Sequence, residues 1–143
     1  MQPYPHVRKI PQSELEWLEA LIALSRFLRS PEGCPWDRKQ TAESFARFVH
    51  EEAGELVEAF HEGHTNEHIE EEWGDTLFTL LASLAAAETE GRFTLEHALR
   101  RTHEKMVRRH GHIFGTHTAE SPEDVVEVWR EIKQREKDEK KGE

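Results

Sequence analysis

Apolar residues recur at three- and four-residue intervals along the chain, and no segment shows the period-two alternation of a strand. The pattern predicts an all-α protein. Ser13, with Glu16 three residues on, resembles a capping box, and Leu15, Leu18, Ile22 and Leu28 give the first helix an apolar face. That helix stops near Ser30-Pro31-Glu32-Gly33, and Cys34-Pro35-Trp36-Asp37 continues as a loop. A second helix is expected from about residue 42 to 61, ended by Gly63, and a third from about 67 to 88, stopped near Gly91. The fourth runs from about 94 to 110. Ser121 as N-cap and Pro122 at the first helical position start a last helix, whose charged end from Lys133 onward is expected to fray. The short turn at His64-Thr65-Asn66 makes the second and third helices antiparallel neighbours. The expected architecture is therefore an antiparallel helical bundle of four to five helices. It comprises an irregular arm over residues 1–12, a single domain over 13–137 and a charged tail over 138–143.

Composition narrows the class. The 143 residues suit one domain, and 34% charged with 36% hydrophobic residues fits a small soluble helical protein. Twenty-nine acidic against 19 basic residues give a net charge of −10, which disfavours a nucleic-acid-binding surface. The N-terminal MQPYPHVRKIPQ has no apolar core of a signal peptide, and the longest uncharged run, residues 76–87, is too short to span a bilayer. No membrane partner is expected. The single Cys34 cannot form an internal disulfide, so a reducing cytoplasm is the expected location.

The charges are segregated. From Phe48 to Gly91 there is no Lys or Arg, against twelve acidic residues, whereas residues 92–112 carry Arg92, Arg100, Arg101, Lys105, Arg108 and Arg109 against only Glu96 and Glu104. Salt bridges between helices would account for this, so position has to decide. At about 100° per residue, Phe45, Phe48, Val49, Leu56 and Phe60 form the stripe of the second helix. Glu52 falls inside that stripe and Glu55 on its margin, while Glu51 and Glu58 turn outward. In the third helix Ile69, Trp73, Leu77, Leu80 and Leu84 define the apolar face, with Glu72 and Asp75 along its flank. An ionised carboxylate placed there is costly unless paired or metal-bound.

Four carboxylates with no Cys and no obligatory His suit magnesium, with manganese as a substitute, better than zinc. Neither a Gly-rich phosphate loop nor a nucleophile elbow is present, so phosphate would be held by metal and side chains. Lys105 and Arg109, four apart on the fourth helix, suit phosphate oxygens or, equally, a salt bridge to the acidic helices.

Taken in order, these blocks resemble the MazG family of nucleoside triphosphate pyrophosphohydrolases. Its EExxE…ExxD signature is matched by Glu51-Glu52-Ala53-Gly54-Glu55 and Glu72-Trp73-Gly74-Asp75, with Trp73 where a Leu is common. Cys34 to Thr41 is similar to the family's CPWDxxQT, Lys105 to Phe114 to its KxxRRHxHVF block, and Trp129 with Lys133 to a late Trp and Lys. The match covers roughly residues 15–137. The resemblance implies an all-α fold of the MazG type, completed as a homodimer or higher homo-oligomer. It implies cleavage of a nucleoside triphosphate between the α and β phosphates, giving monophosphate and pyrophosphate. Glu52, Glu55, Glu72 and Asp75 match the magnesium ligands, Lys105 and Arg109 the phosphate contacts, and Trp129 a residue near the nucleotide. Many relatives carry two such domains in tandem, whereas one is read here.

Glu51, beside the ligand stripe but less buried, is the candidate for orienting or deprotonating the attacking water. Trp36 suits stacking on a base or anchoring its loop, and Gln40 a substrate contact or a bond at the start of the second helix. Cys34 reads as a packing residue, and His61, His64 and His68 as turn histidines. Two other readings stand beside the hydrolase: an acidic helical partner-binding or regulatory module, and a carboxylate di-metal protein. The latter needs Glu-x-x-His on two helices, and Glu58-x-x-His61 is the one instance.

Overall fold

A computed structural model describes residues 4–142. Among them are seven helices and no strand: α1 (Glu14–Leu28), α2 (Pro35–Lys39), α3 (Ala42–His61), α4 (Asn66–Thr89), α5 (Leu95–Arg109), α6 (Gly111–Phe114) and α7 (Pro122–Lys141). The five long helices match the expected ones. The expectation of four to five helices is corrected by two short ones. Cys34–Asp37 is not a plain loop, because Pro35 at the first helical position starts α2. His110 begins α6 rather than only ending α5. The charged end expected to fray is helical to Lys141, with Gln134 Nε2 donating to Asp138 Oδ1 at 2.9 Å.

The chain forms two compact units, one reaching Thr94 and one beginning at Leu95. The first is organised by the α3–α4 hairpin, with α1 also packed on α4. Thr41 and Ser44 form a capping box at the start of α3. At its end the Gly63 and His64 N–H groups donate to Phe60 O and Ala59 O, which requires the left-handed backbone of Gly63 (φ 68°). Gly91 (φ 71°) ends α4 in the same way, Arg92 bonding back to Ala87. Phe45, Ala82 and Ala86 are the core of the hairpin, with Phe48 packed beside them. The buried Ala85, Ala86 and Ala87 let the neighbouring helices approach α4 closely. Arg29 ties α2 to the hairpin, donating to the carbonyls of Asp37 (2.6 Å) and Gln40 (3.0 Å) and to Thr89 Oγ1 (3.3 Å).

One expectation about α4 changes. Trp73 and Leu80, placed on its apolar face, are 58% and 54% exposed, and Phe60 of α3 is 62% exposed. α4 carries apolar side chains on more than one side; α3 and α1 bury those of its C-terminal half, while Trp73 and Leu80 stay largely uncovered among the described residues. In the second unit α5, α6 and α7 pack on one another around the buried Val128 and Ile132. No helix among the described residues is long and apolar enough to cross a membrane.

Candidate metal centre

The α3–α4 hairpin brings the inward carboxylates together. Glu52, Glu55 and Glu72 each offer an oxygen within 4.8 Å of the others. Glu52 and Glu72 are half-buried and Glu55 is exposed. The Oε2 atoms of Glu52 and Glu72 are buried with no hydrogen-bond partner. A buried acceptor without a donor is costly, and a neighbouring negative charge adds to the cost. Burial pushes the Glu52 carboxyl above its ordinary value, helped by the negative charges of Glu55, Asp75, Glu72 and Glu51, in that order. Asp75 therefore faces the cluster electrostatically, although it is exposed and its oxygens lie outside the three-residue group. Converging, under-satisfied carboxylate oxygens are the donor set that a hard divalent cation fits.

Among the described residues of the first unit no Lys or Arg pairs with Glu52, Glu55, Glu72 or Asp75. Arg26 instead holds Glu88 (2.9 Å), and Arg108 and Arg109 hold Glu136 (2.7 and 3.1 Å). Glu51 is exposed on α3 beside Glu52.

Trp36, half exposed on α2, lays its ring 6.0 Å from Phe45 and 5.8 Å from Phe48, one turn before Glu52. Gln40 is engaged at the start of α3, its Oε1 accepting from Ser44 Oγ at 2.8 Å. Cys34 is a free thiol at the N-cap position of α2, its side chain making no capping hydrogen bond.

In the second unit Lys105 and Arg109 line a cleft of ≈ 710 Å³ between α5 and α7, with Arg101, Arg108, Glu136 and Lys140. Lys105 has no ion-pair partner among the described residues. Burial alone would raise the Glu136 carboxyl, but hydrogen bonds from Arg109 and Arg108 and their charges hold it below the ordinary range. Trp129 is half-buried with its Nε1 unpartnered, its ring edge-on to His110 at 5.8 Å. Arg109 Nε and His112 Nδ1 are likewise buried without partners.

Sequence reasoning missed two contacts at these groups. His68 Nε2 lies 3.7 Å from Glu72, and Glu136 bridges the two arginines. The first has a sequence signal in its i,i+4 spacing, whereas the second joins helices far apart in the chain.

Known proteins resemble this chain over most of its length. The MazG nucleotide pyrophosphohydrolase domain matches residues 40–114, from Gln40 through both carboxylate pairs to the end of α6. The nucleoside triphosphate pyrophosphohydrolase/pyrophosphatase MazG of Thermotoga maritima is 42% identical over 87% of this chain and 47% of its own. The nucleoside triphosphate pyrophosphohydrolase of Escherichia coli K12 is 33% identical over 86% and 47% respectively. The chain thus spans about half the length of these curated relatives. The crystal structure of a mazG-related protein from Thermotoga maritima superposes with a TM-score of 0.68 at 30% identity, covering 81% of this chain and 98% of that one. With the domain match running over more than half of its residues and around the carboxylate cluster, the chain belongs to the MazG nucleotide pyrophosphohydrolase family.

Proposed function

We propose that the protein is a magnesium-dependent nucleoside triphosphate pyrophosphohydrolase that cleaves between the α and β phosphates. The observation that carries this reading is the convergence of Glu52, Glu55 and Glu72 with two buried, donor-less oxygens. An exposed docking surface for a basic partner would not need its acceptors buried, which disfavours the binding-module reading. Glu52, Glu55, Glu72 and Asp75 would hold the ion, with manganese as a substitute. Once bound, it would supply charge neutralisation for the triphosphate and polarise a water.

The remaining roles belong to side chains. Glu51 orients or deprotonates the attacking water. Lys105 and Arg109 neutralise phosphate oxygens, Lys105 as a free cation and Arg109 as a guanidinium steadied by Glu136. Trp129, Trp36 and Gln40 are assigned to the nucleotide, the two indoles offering apolar surface with a polar N–H. Residues 13–137 act as one functional domain, in a cytoplasmic homodimer or higher homo-oligomer. The exposed Phe60, Trp73 and Leu80 support that assembly, because large exposed apolar side chains suit an interface. The test is incubation of the purified protein with magnesium and a panel of canonical, deoxy and oxidised triphosphates, following monophosphate and pyrophosphate. Release of orthophosphate, or no turnover of any member, would refute the assignment.

A further inference from the structure

The turn that joins the two carboxylate-bearing helices carries its own side-chain relay, which ends on the metal cluster. Gly63 turns the chain sharply after α3, and the His64 N–H closes that turn on Ala59 O. His64 Nε2 lies 2.9 Å from Glu62 Oε2, and its ring lies against that of His68, tilted by 41° with centroids 4.6 Å apart. His68 stands in the first turn of α4, its backbone N–H donating to Thr65 Oγ1 at 3.3 Å. One turn later in the same helix, Glu72 Oε1 lies 3.7 Å from His68 Nε2. Glu72 thus shows its two oxygens to different surroundings. Oε1 faces an imidazole nitrogen, while Oε2 is buried without a donor.

We propose that His68 is a positioning residue for the metal centre, which holds the Glu72 carboxylate in its place beside Glu52 and Glu55. The inference rests on the reading of the carboxylate cluster as a metal site. The physical need is plain. Three carboxylates within 4.8 Å of one another repel, and an unrestrained glutamate escapes by rotating its side chain into water. A nitrogen bearing a proton beside the outer oxygen opposes that rotation, and Nε2 bears one in the imidazolium and in one neutral tautomer. His64 and Glu62 restrict the imidazole in turn, so the order of the turn is passed to the ligand. Carboxylates that bind metals are commonly fixed by an outer partner of this kind, and losing one typically weakens metal binding about 10–100-fold.

The experiment measures Mn²⁺ binding to the full chain, without nucleotide, by calorimetry and by the loss of free Mn²⁺ signal in electron paramagnetic resonance. Four proteins are compared at one pH: the natural chain, His68→Ala, His68→Gln and Glu72→Gln. His68→Ala is expected to bind about tenfold more weakly, with metal-free helicity unchanged. His68→Gln, whose amide offers a donor at similar reach, is expected to recover most of the affinity. An unchanged affinity in His68→Ala, or equal losses in the Ala and Gln variants, overturns the positioning role while leaving the metal site standing. A natural chain that does not bind Mn²⁺, or a Glu72→Gln variant that binds as well as the natural chain, overturns the metal site itself and this inference with it.

Discussion

Replacing Glu52 by Gln should stabilise the metal-free protein and abolish its response to magnesium. Two unit charges no more than 4.8 Å apart repel by at least about 3.5 kcal/mol at an effective dielectric of about 20, and at least about 0.9 kcal/mol in bulk water. Glu52 meets Glu72 in a half-buried setting and Glu55 in an exposed one, so the two contacts fall toward opposite ends of that range. Allowing for the polar atoms that the amide itself leaves unpaired, the variant should gain roughly 1–2 kcal/mol, a rise in melting temperature of roughly 3–8 °C for a chain of this size. In chelator at pH 7 the variant should therefore melt above the natural protein. Magnesium at about 100 times its dissociation constant should then raise the natural protein by roughly 2.7 kcal/mol and leave the variant where it was, reversing the order.

The pH dependence carries the same sign. The Glu52 carboxyl is raised in the folded state above an unfolded value near 4.5, so its contribution favours folding below that value and is lost as pH rises through the folded one. Metal-free natural protein should gain stability as pH falls from 7 through that raised value, and Glu52→Gln should lack this component. Scanning calorimetry with and without chelator measures both effects. A variant less stable than the natural protein in chelator would mean that Glu52 is a paired structural carboxylate, and the argument from its unsatisfied charge would fail.

Other expectations follow from single contacts. Lys105→Ala should lower kcat/KM for a triphosphate roughly 10–100-fold, the worth of one charge-assisted hydrogen bond, with Mn²⁺ affinity unchanged; normal kinetics would remove Lys105 from the phosphate site. Glu136→Gln frees Arg108 and Arg109 from their shared carboxylate and should lower the melting temperature at neutral pH by roughly 2–5 °C. Because the Glu136 carboxyl is lowered, its contribution is present above about 4.5 and lost as pH falls through the folded value, so the two proteins should converge in acid; a gap that widens there refutes the pairing. In Gly33→Ala the added methyl collides with the backbone carbonyls of Phe27 and Leu28, and denaturant unfolding should show a loss of about 2 kcal/mol or more. Trp73→Glu should shift any oligomer toward monomer in size-exclusion chromatography with light scattering, and an unchanged mass would place the interface elsewhere.

Much of the local structure was legible because its causes lie within a few residues of one another. Ser13, Thr41 and Ser121 cap the helices that follow them, and Gly63 and Gly91 end α3 and α4 through the backbone geometry that glycine tolerates. Helical phase separated Glu52 and Glu72 from Glu58 and Glu71, since both members of each i,i+3 pair share a face. α2 was missed because five residues give no periodicity to read, and what secures it is Arg29, reaching from the end of α1. The exposed Trp73 and Leu80 were grouped with the core because an apolar face in sequence does not say whether another helix covers it.

Helix positions, the inward register of the carboxylates and the absence of local cations were thus properties of the chain itself, being set by spacing and short-range sterics. Tertiary structure alone decided that Glu52 and Glu72 bury unpartnered oxygens and cluster with Glu55, that Arg108 and Arg109 spend their charge on Glu136, and that His64 lies against His68 and His68 beside Glu72. Those outcomes depend on how far apart two helices stand and which rotamers survive their packing, and a periodicity carries neither quantity.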